Sequence, residues 1–203
     1  MQTSSDINRI LAMVRRRGII RSSDLDARGL HRKALSRLEA KGQIVRRTRG
    51  VYTTRNPDLG ENETLIETAA RVPHGVFCLL TALEFHVLTT QGPTDVWLAI
   101  ERGARAPRVP EISLRITRLS GASFTAGIVT HRLYGVNVRV YDPAKTVADC
   151  FKFRNKTGLD VAIEAARDYL QSPGWSMDAL ERYAAVNRVT NVMQPYLEAL
   201  VAS

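Results

Sequence analysis

Apolar residues recur at Ile7, Ile10, Leu11 and Val14. This is the i, i+3, i+4, i+7 spacing of one helical face. It predicts a helix from a Ser5 cap, with Asp6 in its first turn, to Arg15, Arg16 and Arg17, where cations suit the helix dipole. Gly18 stops it. Ile19, Ile20 and Arg21 are short and β-branched enough for one small strand. Ser22 or Ser23 caps a short helix over Asp24–Arg28 that turns Leu25 inward, and Gly29 breaks the chain. Leu30, Ala34, Leu35 and Leu38 then form the apolar back of a helix from about His31 to Lys41, ended by Gly42. Two short strands, Gln43–Arg47 and Val51–Thr54, flank a tight Thr48-Arg49-Gly50 turn. The order helix, strand, helix, turn, helix, hairpin is that of a winged helix-turn-helix.

The pattern changes after residue 54. Arg55 to Gly60 (RNPDLG) is a turn-rich break, which places a domain boundary near residue 57. Residues 1–57 and 58–203 are the expected domains. In the second, Glu63–Arg71 is helix-like, and the strongly apolar Val76–Leu88 predicts a buried helix. Asp95–Ile100 predicts a strand, and Ile112–Leu119 alternates with period two as a half-buried strand does. Residues 127–134 and 136–141 flank Gly135 as a hairpin. Asp142-Pro143 supplies a cap and a first-turn proline for a helix to about Phe153. Leu159–Leu170, Met177–Val186 and Thr190–Leu200 predict three further helices. The expected class is α+β: a winged helix-turn-helix domain, then a mixed α/β domain with a small, mainly antiparallel sheet and several helices.

Charge divides the chain at the same place. The net charge is +9, yet residues 1–56 hold 14 Lys and Arg against 4 Asp and Glu, while residues 57–203 hold 15 against 16. The whole positive excess sits on the winged-helix segment, as expected of a polyanion-binding module. The helix from His31 leaves Arg32, Lys33, Ser36, Arg37 and Lys41 on its open side. Arg can fork onto guanine O6 and N7, and Lys and Ser can hold phosphate or a base edge. Arg21 and Ser22 precede this helix. Arg46, Arg47 and Arg49 line the outer side and tip of the hairpin, suited to an adjacent minor groove. A second group, Arg102, Arg105, Arg108, Arg115 and Arg118, is interrupted up to Arg139 by one acid, Glu111. It is either a second basic surface or arginines scattered on the solvent side of a sheet.

Other chemistry finds little support. His31, His74, His86 and His131 do not share metal-ligand spacing with each other or with a cysteine. Asp95 and Glu101 loosely resemble a nuclease carboxylate pair, but Arg102 and Gly103 stand where a lysine is needed. No phosphate-binding glycine loop and no G-x-S-x-G elbow occurs. No enzymatic activity, cofactor or metal is expected. There is no run of 18 apolar residues and no secretory leader pattern, and Cys78 and Cys150 read as buried thiols of a reducing cytoplasm.

With these residues laid out, the chain resembles the AbiEi antitoxins of AbiE-type (type IV) toxin–antitoxin systems. The likeness rests on IIRSSDLDARGLHRKALSRLEAKGQIVRRTRGVYT and VFCLLTALEFHVLTTQGPTDVWLAI. It continues in GVNVRVYDPAKTVADCFKFRNKTGLDVAIEAARDYL, with its Asp142-Pro143-x-Lys145-Thr146-x-x-Asp149 run. The resemblance implies a transcriptional repressor that binds inverted repeats in its own promoter, with self-association possible on the DNA. It also implies a C-terminal domain that counteracts a nucleotidyltransferase-like toxin, by direct contact or otherwise. The residues alone leave open a generic winged-helix regulator whose C-terminal domain senses a ligand.

Overall fold

The computed structural model describes residues 2–54 and 62–202, without the side chains of residues 2–5 and 48. The expected boundary near residue 57 therefore lies outside what is described. Residue 5 does not cap the first helix, which begins at Gln2 and runs through it. The chain divides into two compact units: residues 1–73 with 131–138, and residues 74–130 with 139–203.

The first unit opens with helix α1 (Gln2–Arg17), strand β1 (Ile19–Arg21), a one-turn helix α2 (Ser22–Asp26) and helix α3 (Lys33–Ala40). Strands β2 (Val45–Thr48) and β3 (Val51–Thr53) form the wing, and helix α4 (Glu63–Arg71) follows. The strands make an antiparallel sheet in the order β1-β3-β2, with Ile20 opposite Tyr52 and Val45 opposite Thr53. Ile10, Val14, Ile20, Leu25, Leu35, Leu38, Ile44 and Tyr52 close a core beneath α3. Burying Leu35 and Leu38 stabilises the unit by roughly 1.5–3 kcal/mol each, which is what holds α3 in place. Gly42, at φ +64°, ends α3 in the left-handed region while the next amide, Gln43, donates back to the Leu38 carbonyl at 2.9 Å. Gly50, at φ +76°, makes the wing turn, and a Cβ there would meet Ser22 Oγ at 2.9 Å. The Ser22 amide donates to the Gly50 carbonyl at 2.7 Å, tying the wing to the start of α2.

The second unit is built on a five-stranded sheet. Its elements are β4 (Val76–Phe77), α5 (Leu79–Phe85), β5 (Val96–Glu101), β6 (Leu114–Leu119), α6 (Ala122–Thr125), β7 (Ile128–Leu133) and β8 (Val136–Tyr141). Helices α7 (Pro143–Lys152), α8 (Arg154–Thr157), α9 (Leu159–Gln171), α10 (Met177–Asn187) and α11 (Thr190–Val201) complete it. The end of β7, the turn after it and the start of β8, residues 131–138, belong to the first unit. The α+β class expected from the sequence holds, with two refinements. The sheet, ordered β6-β5-β4-β8-β7, is mixed rather than mainly antiparallel, because β5–β6 and β4–β8 run parallel. Parallel neighbours need long crossovers, and residues 102–113 supply the one between β5 and β6. The apolar run Val76–Leu88 is not one helix: Val76 and Phe77 pair in the sheet before α5 begins. The helical spacing of the run extends back over Val76 and Phe77, whose strand pairing depends on Leu98, Ala99 and Val140, far away in the sequence.

Helix α7 is the spine of this unit. Asp142 caps it by accepting from the Lys145 amide at 2.8 Å, and Pro143 opens its first turn. Every residue from Ala144 to Phe151 is buried, Lys145 and Asp149 included. The Lys145 ammonium donates to Asp149 Oδ1 at 2.6 Å and lies 4.3 Å from the Tyr141 ring centroid. Asn187, arriving from α10, donates to the same Asp149 oxygen at 2.7 Å. Burial raises the Asp149 carboxyl above its ordinary value against the opposing pull of Lys145 and Asn187. A buried charge pair is retained only when hydrogen-bonded in this manner.

Candidate nucleic-acid interface

Helix α3 begins two residues later than the sequence pattern suggests. His31 and Arg32 form the turn before it, with Ala34 and Leu35 amides donating to their carbonyls at 3.1 and 3.0 Å. Ala34, Leu35 and Leu38 face the core, so the helical period carries Lys33, Ser36, Arg37 and Ala40 to the opposite side. All four are exposed, as is Lys41 at the C-terminal end of the helix. The wing presents Arg46, Arg47 and Arg49, also exposed. The pairing register skips Arg47, between Arg46 opposite Tyr52 and Thr48 opposite Val51. That irregularity twists the strand and re-aims its side chains. Arg49 lies in the tight turn at the wing tip. A basic helix face and a basic hairpin are thus brought together in one unit.

Three of the expected residues are placed differently. Arg21 is half-buried, and its Nη2 donates to the Ala69 carbonyl of α4 at 2.8 Å. Its amide donates to Asp24 Oδ2 at 2.8 Å. Arg21 therefore fastens α2 and α4 within the unit. Ser22 is half-buried beneath the wing turn. Arg32 is exposed but occupied: its Nε donates to Asp26 Oδ1 at 2.9 Å and its Nη2 pairs with Asp26 Oδ2. Hydrogen bonding from Arg32 holds the Asp26 carboxyl below its ordinary value. This fork braces the turn between α2 and α3. Asp26 carried no signal in the sequence, because it pairs across a loop rather than along a helix.

One further concentration of positive charge joins residues far apart in the chain. Arg17 is held below its ordinary value by burial, then by Arg28, against the pull of Asp24, with Arg132 and Arg16 adding to the repulsion. Arg17 Nη1 is buried without a hydrogen-bond partner among the described residues. Arg132 reaches this group from the end of β7, so no local pattern could have shown it.

The second arginine group divides. Arg115 donates to Asp95 Oδ2 at 2.6 Å and lies over the Trp97 ring at 5.1 Å. Arg118 Nη1 donates to the Arg102 and Ala104 carbonyls at 2.8 and 2.7 Å. Both are spent on bracing the sheet edge. Arg102, Arg105 and Arg108 stay exposed on the loop after β5. Asp95, held low by Ser113 and Arg115, is committed to that bracing. No group of three metal-ligating side chains occurs among the described residues.

The first unit is a winged helix-turn-helix with the open basic face of a DNA-binding regulator. Residues 8–54 match the family described as transcriptional regulator, AbiEi antitoxin. The AbiEi resemblance thus holds over the winged helix, and that family is one of transcriptional regulators rather than of enzymes. No curated protein matches the chain. Among solved structures, the RV2827C protein from Mycobacterium tuberculosis is similar in fold, with a TM-score of 0.56 at 14% identity. The match covers 96% of this chain and 81% of that one. At that identity it speaks for the fold alone. No helix among the described residues is long and apolar enough to cross a membrane.

Proposed function

We propose that this chain is the antitoxin of a type IV, AbiE-like toxin–antitoxin system and the repressor of its own operon. The observation that carries the reading is the face of α3. Lys33, Ser36 and Arg37 stand exposed over a buried Ala34-Leu35-Leu38 back, beside a wing bearing Arg46, Arg47 and Arg49. Arg37 and Ser36 read base edges in the major groove, Lys33 and Lys41 hold the flanking phosphates, and Arg49 enters the adjacent minor groove or its backbone. His31 contacts phosphate at the entrance to the helix. The chain acts in the cytoplasm on double-stranded promoter DNA. Inverted repeats place two copies on it.

The functional division falls near residue 57. Residues 1–57 read the operator, and residues 58–203 oppose a nucleotidyltransferase-like toxin. Arg102, Arg105 and Arg108 extend the positive surface of that second part. The test is footprinting of the chain's own promoter combined with co-expression of the adjacent toxin gene. Protected inverted repeats whose affinity falls steeply with salt support the DNA reading, and restored growth supports the antitoxin reading. A promoter without protection removes the first, and growth arrest that persists removes the second.

A further inference from the structure

The first unit carries a second cationic site, built from other elements than α3 and the wing. Arg16 and Arg17 come from the last turn of α1, Arg28 from the turn after α2, and Arg132 from the end of β7. Tyr134 and Gly135 join β7 to β8 at φ +48° and +81°, positive at both central residues as in a tight type I′ turn. That turn sets Gly135 so close to α1 that a Cβ there would meet Arg17 Cδ at 2.7 Å. The glycine is thus required twice, by its backbone conformation and by the arginine it lies against. Residues 131–138 fold with the first unit, so this contact lies within it.

A cation in the last turn of a helix is normally satisfied by the free carbonyls there. Arg17 is not: its Nη1 is buried and has no acceptor among the described residues. Arg28, Arg132 and Arg16 repel Arg17, and Asp24 attracts it. Asp24 already accepts from the Arg21 amide at 2.8 Å. Arg28 is held in place by donating to the Asp24 carbonyl at 3.0 Å. Arg16, Arg28 and Arg132 are exposed. A buried guanidinium N–H without an acceptor, set among like charges, is costly, and an anion in their midst offsets that cost. We propose that Arg17, Arg28 and Arg132, with Arg16 at the rim, bind a phosphate group. Phosphate fits better than a carboxylate, because its several oxygens accept from separate guanidinium groups at once. Arg17 Nη1 supplies the unpartnered donor at the base. Two sources carry such a group, the backbone of bound DNA and a free phosphate compound. The site stands on its own geometry and not on the operator reading.

The full-length chain is titrated with inorganic phosphate, against chloride at equal ionic strength, with thermal stability as the readout. It is also titrated with its own promoter DNA over a range of salt. Arg132→Gln and Arg28→Gln are compared with Arg9→Gln, which removes the same charge from an exposed position about 12 Å along α1 from Arg17. Each site variant weakens phosphate binding about tenfold, while Arg9→Gln keeps the wild-type value. A salt slope for DNA that falls by about 0.9 in the site variants alone assigns the phosphate to the DNA backbone. An unchanged slope with weakened phosphate binding assigns it to a free compound. Site variants that match Arg9→Gln in both titrations overturn the proposal. A wild type that leaves the promoter unbound removes the repressor reading, and the phosphate titration then decides the site by itself.

Discussion

Lys145→Met is the substitution whose cost the structure specifies most fully. Lys145 is 0% exposed and Asp149 1%, and the pair is joined at 2.6 Å. Methionine fills nearly the same volume but leaves Asp149 with Asn187 as its remaining described donor, because Asp149 Oδ2 has no partner among the described residues. Removing one member of a buried pair costs about 3–5 kcal/mol. Replacing both, as in K145M/D149L, recovers most of that loss, since an apolar pair of similar volume avoids desolvating two charges. The assay is urea denaturation of the four proteins of this double-mutant cycle. The pH dependence has a defined sign. Asp149 already lies above its ordinary value and rises further without Lys145. A carboxyl raised in the folded state favours folding at low pH, and this contribution is lost as pH rises through the folded value. The penalty of Lys145→Met is therefore smaller at about pH 5 than at about pH 8. A penalty below about 1 kcal/mol, or a double variant as unstable as the sum of the singles, would refute the charged-pair account.

Four other outcomes are expected. Arg37→Ala weakens operator binding by roughly 1–3 kcal/mol and relaxes preference at one base position; an unchanged gel-shift series removes Arg37 from the base-reading group. Arg21→Ala lowers thermal stability, by about 1 kcal/mol for the lost bond to Ala69, and spares the operator footprint; a lost footprint with unchanged stability would make it a DNA contact after all. Asp26→Asn releases Arg32 and deletes a carboxylate beside the helix, so DNA affinity rises with a salt slope steeper by about 0.9 per phosphate gained. In the wild type, Asp26 lies below its ordinary value, so the Arg32 fork persists above the carboxylate range and is lost as pH falls through that lowered value; weaker binding by the Asn variant would show that the fork holds α3 in position. Cys78 and Cys150 are buried, with thiols raised by burial, so both resist iodoacetamide in the native protein and react in urea. Rapid labelling without denaturant contradicts the packing around α7.

The winged helix was legible because its determinants are local. An apolar period of 3.6, glycines at the two turns and a charge excess that ends with the wing lie within some fifty residues. The Asp142-Pro143 cap and the Lys145–Asp149 spacing were legible for the same reason, since i and i+4 meet on any helix. The sequence alone thus determined the α+β class, the basic face of α3, and helices α4, α7, α9, α10 and α11. The tertiary structure decided whatever depended on distant partners. It drew Arg21 away to Ala69 and Arg32 away to Asp26, and it spent Arg115 and Arg118 on the sheet edge. It broke Val76–Leu88 into a strand and a helix, and it made the sheet mixed. Whether an arginine is available to DNA depends on which carbonyl or carboxylate folding brings within about 3 Å of it, and that is a property of the packed chain.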